Sequence, residues 1–347
     1  MSWEGDLADL LDAAAHGERR RLSESSALVT ALEELVLDGP RRYTRAEVLE
    51  RAGVAEEEGL RLWRSLGFPE VADDQRFFTD SDVDAAQLLA TDPVAAGLPE
   101  DVRETVIRAI AQSMSRLADW QVGMLARMVA DGVAAGGASR SAVVDAAALL
   151  PLLERAQTYI WRRHVAAAVS RFIVGPLDES ESARTHPLAV GFADMVGFTR
   201  TTRRRSPAEL AEMIERFEAA TTEAITGNGG RIVKTVGDEV LFVADDARTA
   251  ARVAVALRAA VRAEPALPAL RIGLAAGEVL QRFGDVYGET VNIAARLTTH
   301  ARPDTVLVDR TVADALRDDP ELPIRPLRPV QVRGYRNLHP YLLRTGD

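Results

Sequence analysis

Two aspartates stand where a buried strand gives way to a turn. Asp194 lies in Phe192-Ala-Asp-Met-Val-Gly-Phe-Thr199, and Asp238 lies in Lys234-Thr-Val-Gly-Asp-Glu239. A carboxylate just past a strand can ligate a hard cation, while the amides of the following turn, here at Phe198 and Thr199, face phosphate oxygens. Each aspartate taken singly also reads as a helix cap or a hairpin-turn residue. Adjacent strands of one sheet could bring both to one edge, where two ions about 3.5–4 Å apart would activate an attacking oxygen and stabilise a leaving one. A third segment, Asp285-Val-Tyr-Gly-Glu-Thr-Val-Asn292-Ile-Ala-Ala-Arg296, puts an amide and a guanidinium four residues apart. That spacing shares one helix face, where Asn292 can orient a sugar or water and Arg296 can hold phosphate charge. It also fits a solvated helix face.

The elements that must hold these residues are legible in the surrounding pattern. Leu188 to Ala193 is a continuous apolar run suited to a buried strand, and Ser206-Pro207-Ala208-Glu209 is a capping box with proline at the first helical position. The helix it opens runs to about Thr226 and stops at Gly227-Asn228-Gly229-Gly230. Arg231 to Ala244 predicts a hairpin turning at Gly237-Asp238. Helix follows over 245–262, strand over 270–276, helix over 289–301, strand over 305–309, a short helix over 311–316, and strands near 330–333 and 341–344. Alternating strands, hairpins and helices indicate an α+β fold, an antiparallel-rich sheet covered by helices.

Upstream the texture is all α. Apolar residues from Gly5 to Leu37 fall at helical spacing, and Gly39-Pro40 ends that segment. Thr44 and Thr79 read as caps and Ala52-Gly53-Val54 as a turn, so Tyr43 to Leu89 predicts a helix-turn-helix with a small wing. Pro99 to Ala130 predicts a long amphipathic helix broken by Gly132, Gly136 and Gly137, followed by a second helix capped by Ser139 or Ser141 and running to about Val174. The polar stretch from Asp178 to Thr185 reads as a linker. The expected division is a helical regulatory domain over 1–140, a linker helix and loop over 141–186, and a catalytic domain over 187–347.

Composition removes several classes of function. The 347 residues contain no cysteine, so disulfides, zinc–thiolate sites and thiol nucleophiles are ruled out. With 42 basic and 52 acidic residues the formal charge is −10, which disfavours wrapping around nucleic acid. The N-terminus lacks the basic and apolar regions of a signal peptide, and no run matches a membrane span, so a soluble, cytoplasmic protein is expected. Tyr43 to Leu89 resembles the DNA-reading domain of MerR-type regulators. Between Arg41 and Asp92, however, seven arginines face twelve acids, and Glu56-Glu57-Glu58 would meet phosphates with like charge. A structural or protein-contact role is expected there, not DNA binding.

In this order the three site segments resemble the catalytic domain of class III nucleotidyl cyclases, from Pro187 to about Arg344. The resemblance implies that Asp194 and Asp238 bind two divalent metal ions, Mg2+ or Mn2+. It implies that Lys234 and Asp285 read adenine, and that Asn292 and Arg296 complete the transition-state site. A lysine donor and a carboxylate acceptor suit N1 and N6 of adenine, whereas guanine reverses that pattern. Arg333, in Val332-Arg333-Gly334, stands where the family often has a lysine that contacts the terminal phosphates. The implied reaction is conversion of ATP to 3′,5′-cyclic AMP and pyrophosphate in a homodimer with composite sites. The layout is similar to that of soluble actinobacterial adenylyl cyclases with a regulatory, pH-responsive N-terminal half. There His164 is the histidine best placed for sensing, although beside Arg162 and Arg163 it also reads as a solvated surface residue. The alternative is a non-catalytic nucleotide-binding sensor signalling through the helix-turn-helix-like region, against which the complete set of site residues argues. The Gly-Gly-Asp/Glu-Glu-Phe signature of diguanylate cyclases is absent.

Overall fold

The computed structural model describes residues 36–37, 39–91, 97–134, 148–174, 185–203, 205–282, 284–332 and 335–344. Two compact units divide the chain, Met1–Leu177 and Asp178–Asp347. The helices expected before residue 36, the caps at Ser139 and Ser141, the breaks at Gly136 and Gly137, and the linker over 178–184 lie outside the described residues.

In the first unit, α1 (Arg45–Ala52) begins with a reciprocal cap. The Glu47 N–H donates to the Thr44 hydroxyl, while the Glu47 carboxylate accepts from the Thr44 N–H at 2.8 Å. Gly53, at φ 69°, ends the helix in the left-handed region and turns the chain into α2 (Glu56–Ser65). A lone antiparallel bridge between Tyr43 and Phe78 is all there is of the wing. It precedes α3 (Asp80–Thr91), whose approach is fixed by the Thr79 N–H donating to Asp82 at 2.7 Å. Val48, Leu49, Ala52, Val54, Leu62 and Phe78 are buried between these pieces.

The next helix, α4, spans Glu100–Ala134 and runs straight through Gly132, contrary to the expected break. One interior glycine costs a helix about 1 kcal/mol, which a long run of good helix formers absorbs. The acidic start of α2 is engaged within the unit: Glu58 accepts from Arg103 at 2.9 Å, and Arg61 pairs with Glu57 and Glu100. Last in this unit is α5, which spans Leu150–Val174.

The second unit opens with β1 (Thr185–Met195), longer at both ends than its apolar centre. After it come α6 (Phe198–Thr202), α7 (Pro207–Gly227), β2 (Arg231–Val236), β3 (Glu239–Ala244), α8 (Ala247–Arg262), β4 (Leu270–Arg282), β5 (Asp285–Tyr287) and α9 (Glu289–His300). The chain then forms β6 (Thr305–Val308), α10 (Arg310–Ala315), β7 (Ile324–Pro326), β8 (Val330–Val332), β9 (Tyr335–Leu338) and β10 (Tyr341–Leu343). An eight-stranded sheet runs in the order β2-β3-β1-β4-β6-β10-β7, with β5 on β4, while β8 and β9 form a separate ribbon. All pairings are antiparallel except β4 with β6.

Strand alternation divides the core between the two faces of this sheet. Ala189, Ala193 and Met195 point to the face where Phe217, Val253, Leu257 and Val312 of α7, α8 and α10 are buried. Leu188, Val190 and Phe192 point to the other, which is covered by Ala294 and its neighbours on α9. Beyond the expectation, β1 is longer at both ends, β4 extends six residues past Ala276, and β5, β7 and β9 are additional.

Candidate active site

Parity along β1 places Asp194 on the α9 face of the sheet, two residues beyond Phe192. Register then fixes its neighbours, since its Cα pairs with Glu239 of β3 on one side and with Arg271 of β4 on the other. Asp238 is delivered by the tight turn between β2 and β3. Gly237, at φ 62°, supplies the left-handed conformation, and the Asp238 carbonyl accepts from the Met195 N–H at 3.0 Å, tying the turn to the end of β1. The Asp238 and Asp194 carboxyls lie within side-chain hydrogen-bond reach of each other.

This crowding has an electrostatic signature. Burial pushes the Asp238 carboxyl up from its ordinary value, and the Asp194 charge adds to the rise while Arg271 opposes it. Glu239 is raised by burial first, then by Asp194 and Asp238, with Lys234 acting the other way. Arg271 is ion-paired to Asp194 through Nη2, while its Nε is buried with no partner. Asp238 and Glu239, half-buried and both raised, sit where a hard divalent cation would favour their charged forms. Among the described residues no group of three or more acidic or histidine side chains forms a complete cage. A cation held by Asp194 and Asp238 would therefore fill its shell with water or substrate oxygens, the usual manner of Mg2+.

A second charged pair lies on the same sheet face. Lys234 of β2 pairs across the ladder with Leu241, whose side chain belongs to the α9-face core. Its Nζ reaches Asp285 Oδ2 at 2.5 Å, and the Val286 N–H donates to Asp285 Oδ1 at 2.8 Å. Burial alone would raise Asp285, but the bonds from Lys234 and Val286 outweigh it and hold the carboxyl below its ordinary value.

The third component depends on how closely α9 can lie on β4. A Cβ at Gly273 would strike the Ala294 carbonyl and the Thr298 amide, and one at Gly277 would stand 2.8 Å from Thr290 Oγ1. Only glycines at these two positions admit the helix. Thr290 and Thr298 then donate to the Glu278 and Phe192 carbonyls at 2.9 and 3.3 Å, and Thr290, Ala294, Leu297 and Thr298 form the buried stripe. Asn292 is left exposed and Arg296 half-buried on the helix flank, and neither makes a side-chain hydrogen bond or ion pair among the described residues.

The structure thus brings Asp194 to Asp238 and Lys234 to Asp285, with Glu239 between the pairs and responsive to both. Among the described residues Asn292 and Arg296 form no hydrogen bond or ion pair with either pair. Phe198 opens the five-residue α6 and packs on the core, and Thr199 beside it is exposed. Their N–H groups belong to the first turn, which has no acceptors within its helix. Arg333 lies outside the described residues. The sequence reading missed Arg271 and Glu239. The available signals were a charged residue inside the apolar run Leu270 to Ala276 and a second acid immediately after Asp238.

Known proteins give the following likenesses. The family model described as adenylate and guanylate cyclase catalytic domain matches residues 180–345. An adenylate cyclase of Streptomyces coelicolor is 41% identical over 297 residues, covering 84% of this chain and 77% of that one. An adenylate cyclase of Glutamicibacter nicotianae is 35% identical over 333 residues, covering 92% and 83%. A pH-sensitive adenylate cyclase of Mycobacterium tuberculosis is 29% identical over 342 residues, covering 91% and 84%.

Proposed function

The chain belongs to the adenylate and guanylate cyclase family, and from that premise we propose that it converts ATP into 3′,5′-cyclic AMP and pyrophosphate. The observation that carries the base assignment is the Lys234–Asp285 pair, on the same sheet face as the Asp194–Asp238 pair. An ammonium donor and a carboxylate acceptor match N1 and N6 of adenine and mismatch guanine. Asp194 and Asp238 would hold two divalent ions, Mg2+ or Mn2+, which supply Lewis-acid activation of the 3′-hydroxyl and neutralise the triphosphate.

In the reaction the ribose 3′-oxygen bonds to the α-phosphorus as the bond to the β-phosphate oxygen breaks and pyrophosphate leaves in line. Nothing in the chain need become covalently attached; the protein positions the nucleotide and stabilises charge. Arg296 meets negative charge developing at the α-phosphate, and Asn292 orients the ribose. Phosphate contact is assigned to the amides of Phe198 and Thr199 and to Arg333. No side chain stands as a dedicated base, so the hydroxyl proton leaves to a phosphate oxygen or to water.

Asn292 and Arg296 make no hydrogen bond or ion pair with the aspartate pair of their own chain among the described residues. This supports a head-to-tail homodimer in which the aspartates of one protomer face the base-reading pair, Asn292 and Arg296 of the other. We also assign a regulatory role to the N-terminal unit, in keeping with the pH-sensitive relative. His164 is exposed on α5 and makes no ion pair among the described residues, and whether it takes part in that regulation is read from the pH profile of His164→Ala. No helix among the described residues is long and apolar enough to cross a membrane.

Purified protein incubated with ATP and Mg2+ or Mn2+ should release cyclic AMP and pyrophosphate in equal amounts, and chelation should abolish both. Nucleotide binding without either product would replace this reading with the sensor.

A further inference from the structure

We propose that Arg271 is the resident counter-ion of the carboxylate pair, and that a divalent cation enters the site by displacing its guanidinium from Asp194. The inference rests on the assignment of Asp194 and Asp238 as cation ligands. Three observations carry it.

First, strand register sets Arg271 directly across from Asp194 on the same sheet face, so the contact is built into the β1–β4 ladder. Second, the charge of the cluster is unbalanced. Asp194 sits beside Glu239 in the β1–β3 ladder, the Met195 N–H ties Asp238 to the end of β1, and Arg271 is the guanidinium paired to this cluster through Asp194. Positive charge here does the work a cation would do, and the two compete for one carboxylate. Third, the pair is poorly satisfied. Arg271 gives Asp194 only Nη2 and leaves Nε buried without an acceptor.

A permanent bridge in the same unit looks different. Arg258 engages Asp304 with Nε at 2.9 Å and Nη2 at 2.8 Å, the two-pronged geometry of a structural clamp. A buried donor without a partner is costly, so the Arg271 contact can be surrendered with less loss than the Arg258 clamp. Arg271 thus neutralises Asp194 in the absence of a cation, and it weakens the first cation's hold until it swings away.

The test is Mn2+ binding to the full-length protein without nucleotide, read from the electron paramagnetic resonance signal of free Mn2+. Arg271→Gln should bind Mn2+ roughly tenfold or more tightly than the wild type, because a unit charge beside the cation is gone. Arg271→Lys keeps the charge but loses the guanidinium hydrogen bond, and should tighten binding about threefold. This variant serves if the glutamine form does not fold. Unchanged or weaker binding in the folded variants overturns the proposal, since Arg271 would then orient Asp194 for the cation and not compete with it. Asp194→Asn separates the two layers: if it leaves wild-type Mn2+ binding intact, the ligand assignment fails, whatever Arg271 does.

Discussion

Lys234 and Asp285 hold each other at 2.5 Å, so the pair that would read the base is already formed without it. Changing either residue alone strands the other's charge. Lys234→Glu combined with Asp285→Cys avoids that, and presents the acceptor and small residue that suit guanine. This double variant should lose most ATP turnover and raise the kcat/KM ratio of GTP to ATP, since a lost charged hydrogen bond costs ~1.5–3 kcal/mol. An unchanged ratio in an active variant would remove both residues from base recognition. Asp194 and Asp238 were legible because each sits in a short contiguous signature whose turn chemistry can be read locally. Arg271 and Glu239 were not, because what makes them part of the site is strand register. The pairings Asp194 with Arg271 and Asp194 with Glu239 join positions far apart in the chain, and nothing in a strand's own sequence states its partner.

Elements set how far these side chains can be trusted to stay in place, and α9 is the clearest case. Its carbonyl at Ala294 and amide at Thr298 sit where a Gly273 Cβ would be, so Gly273→Ala must push the helix off β4. Overpacking of this kind costs about 1–3 kcal/mol, and for a unit of this size each kcal/mol lowers Tm by roughly 2–4 °C. The expected result is a lower Tm together with a fall in kcat, as Asn292 and Arg296 ride on the displaced helix, while the ATP-to-GTP ratio is retained. Gly123→Ala in α4, where nothing lies within 4 Å of the added methyl, should be neutral or stabilising. A Gly273→Ala enzyme with wild-type Tm and kcat would show that α9 does not depend on that close approach. The capping box at Ser206 and the Gly237-Asp238 hairpin were readable because local chemistry decides them. Beyond Ala276, β4 pairs with the N-terminal extension of β1 and then, over 280–282, with the short β5, so none of these pieces was visible alone. At Gly132 the local signal was real but too weak to stop a 35-residue helix.

Across the whole molecule, the question is whether one chain completes the site or the proposed homodimer does. The carboxylate pair and the base-reading pair share one sheet face, and Asn292 and Arg296 form no hydrogen bond or ion pair with either among the described residues. The site is either completed within one chain, on an α9 that Gly273 and Gly277 let lie close on β4, or shared, as proposed, with a second copy in head-to-tail arrangement. The two arrangements differ in genetics as well as geometry. Asp194→Ala and Asn292→Ala should each be nearly inactive alone, because in a homodimer of either variant both sites carry the defect. In a mixed dimer one site collects both substitutions and the other collects neither. Random re-association of equal amounts makes about half the dimers mixed, each with one good site of two, so roughly a quarter of wild-type activity should return. Recovery should track subunit exchange, followed independently by energy transfer between labelled protomers. If exchange is complete and activity stays at the level of the single variants, the sites are not shared between protomers, and α9 must instead reach the carboxylate pair within one chain.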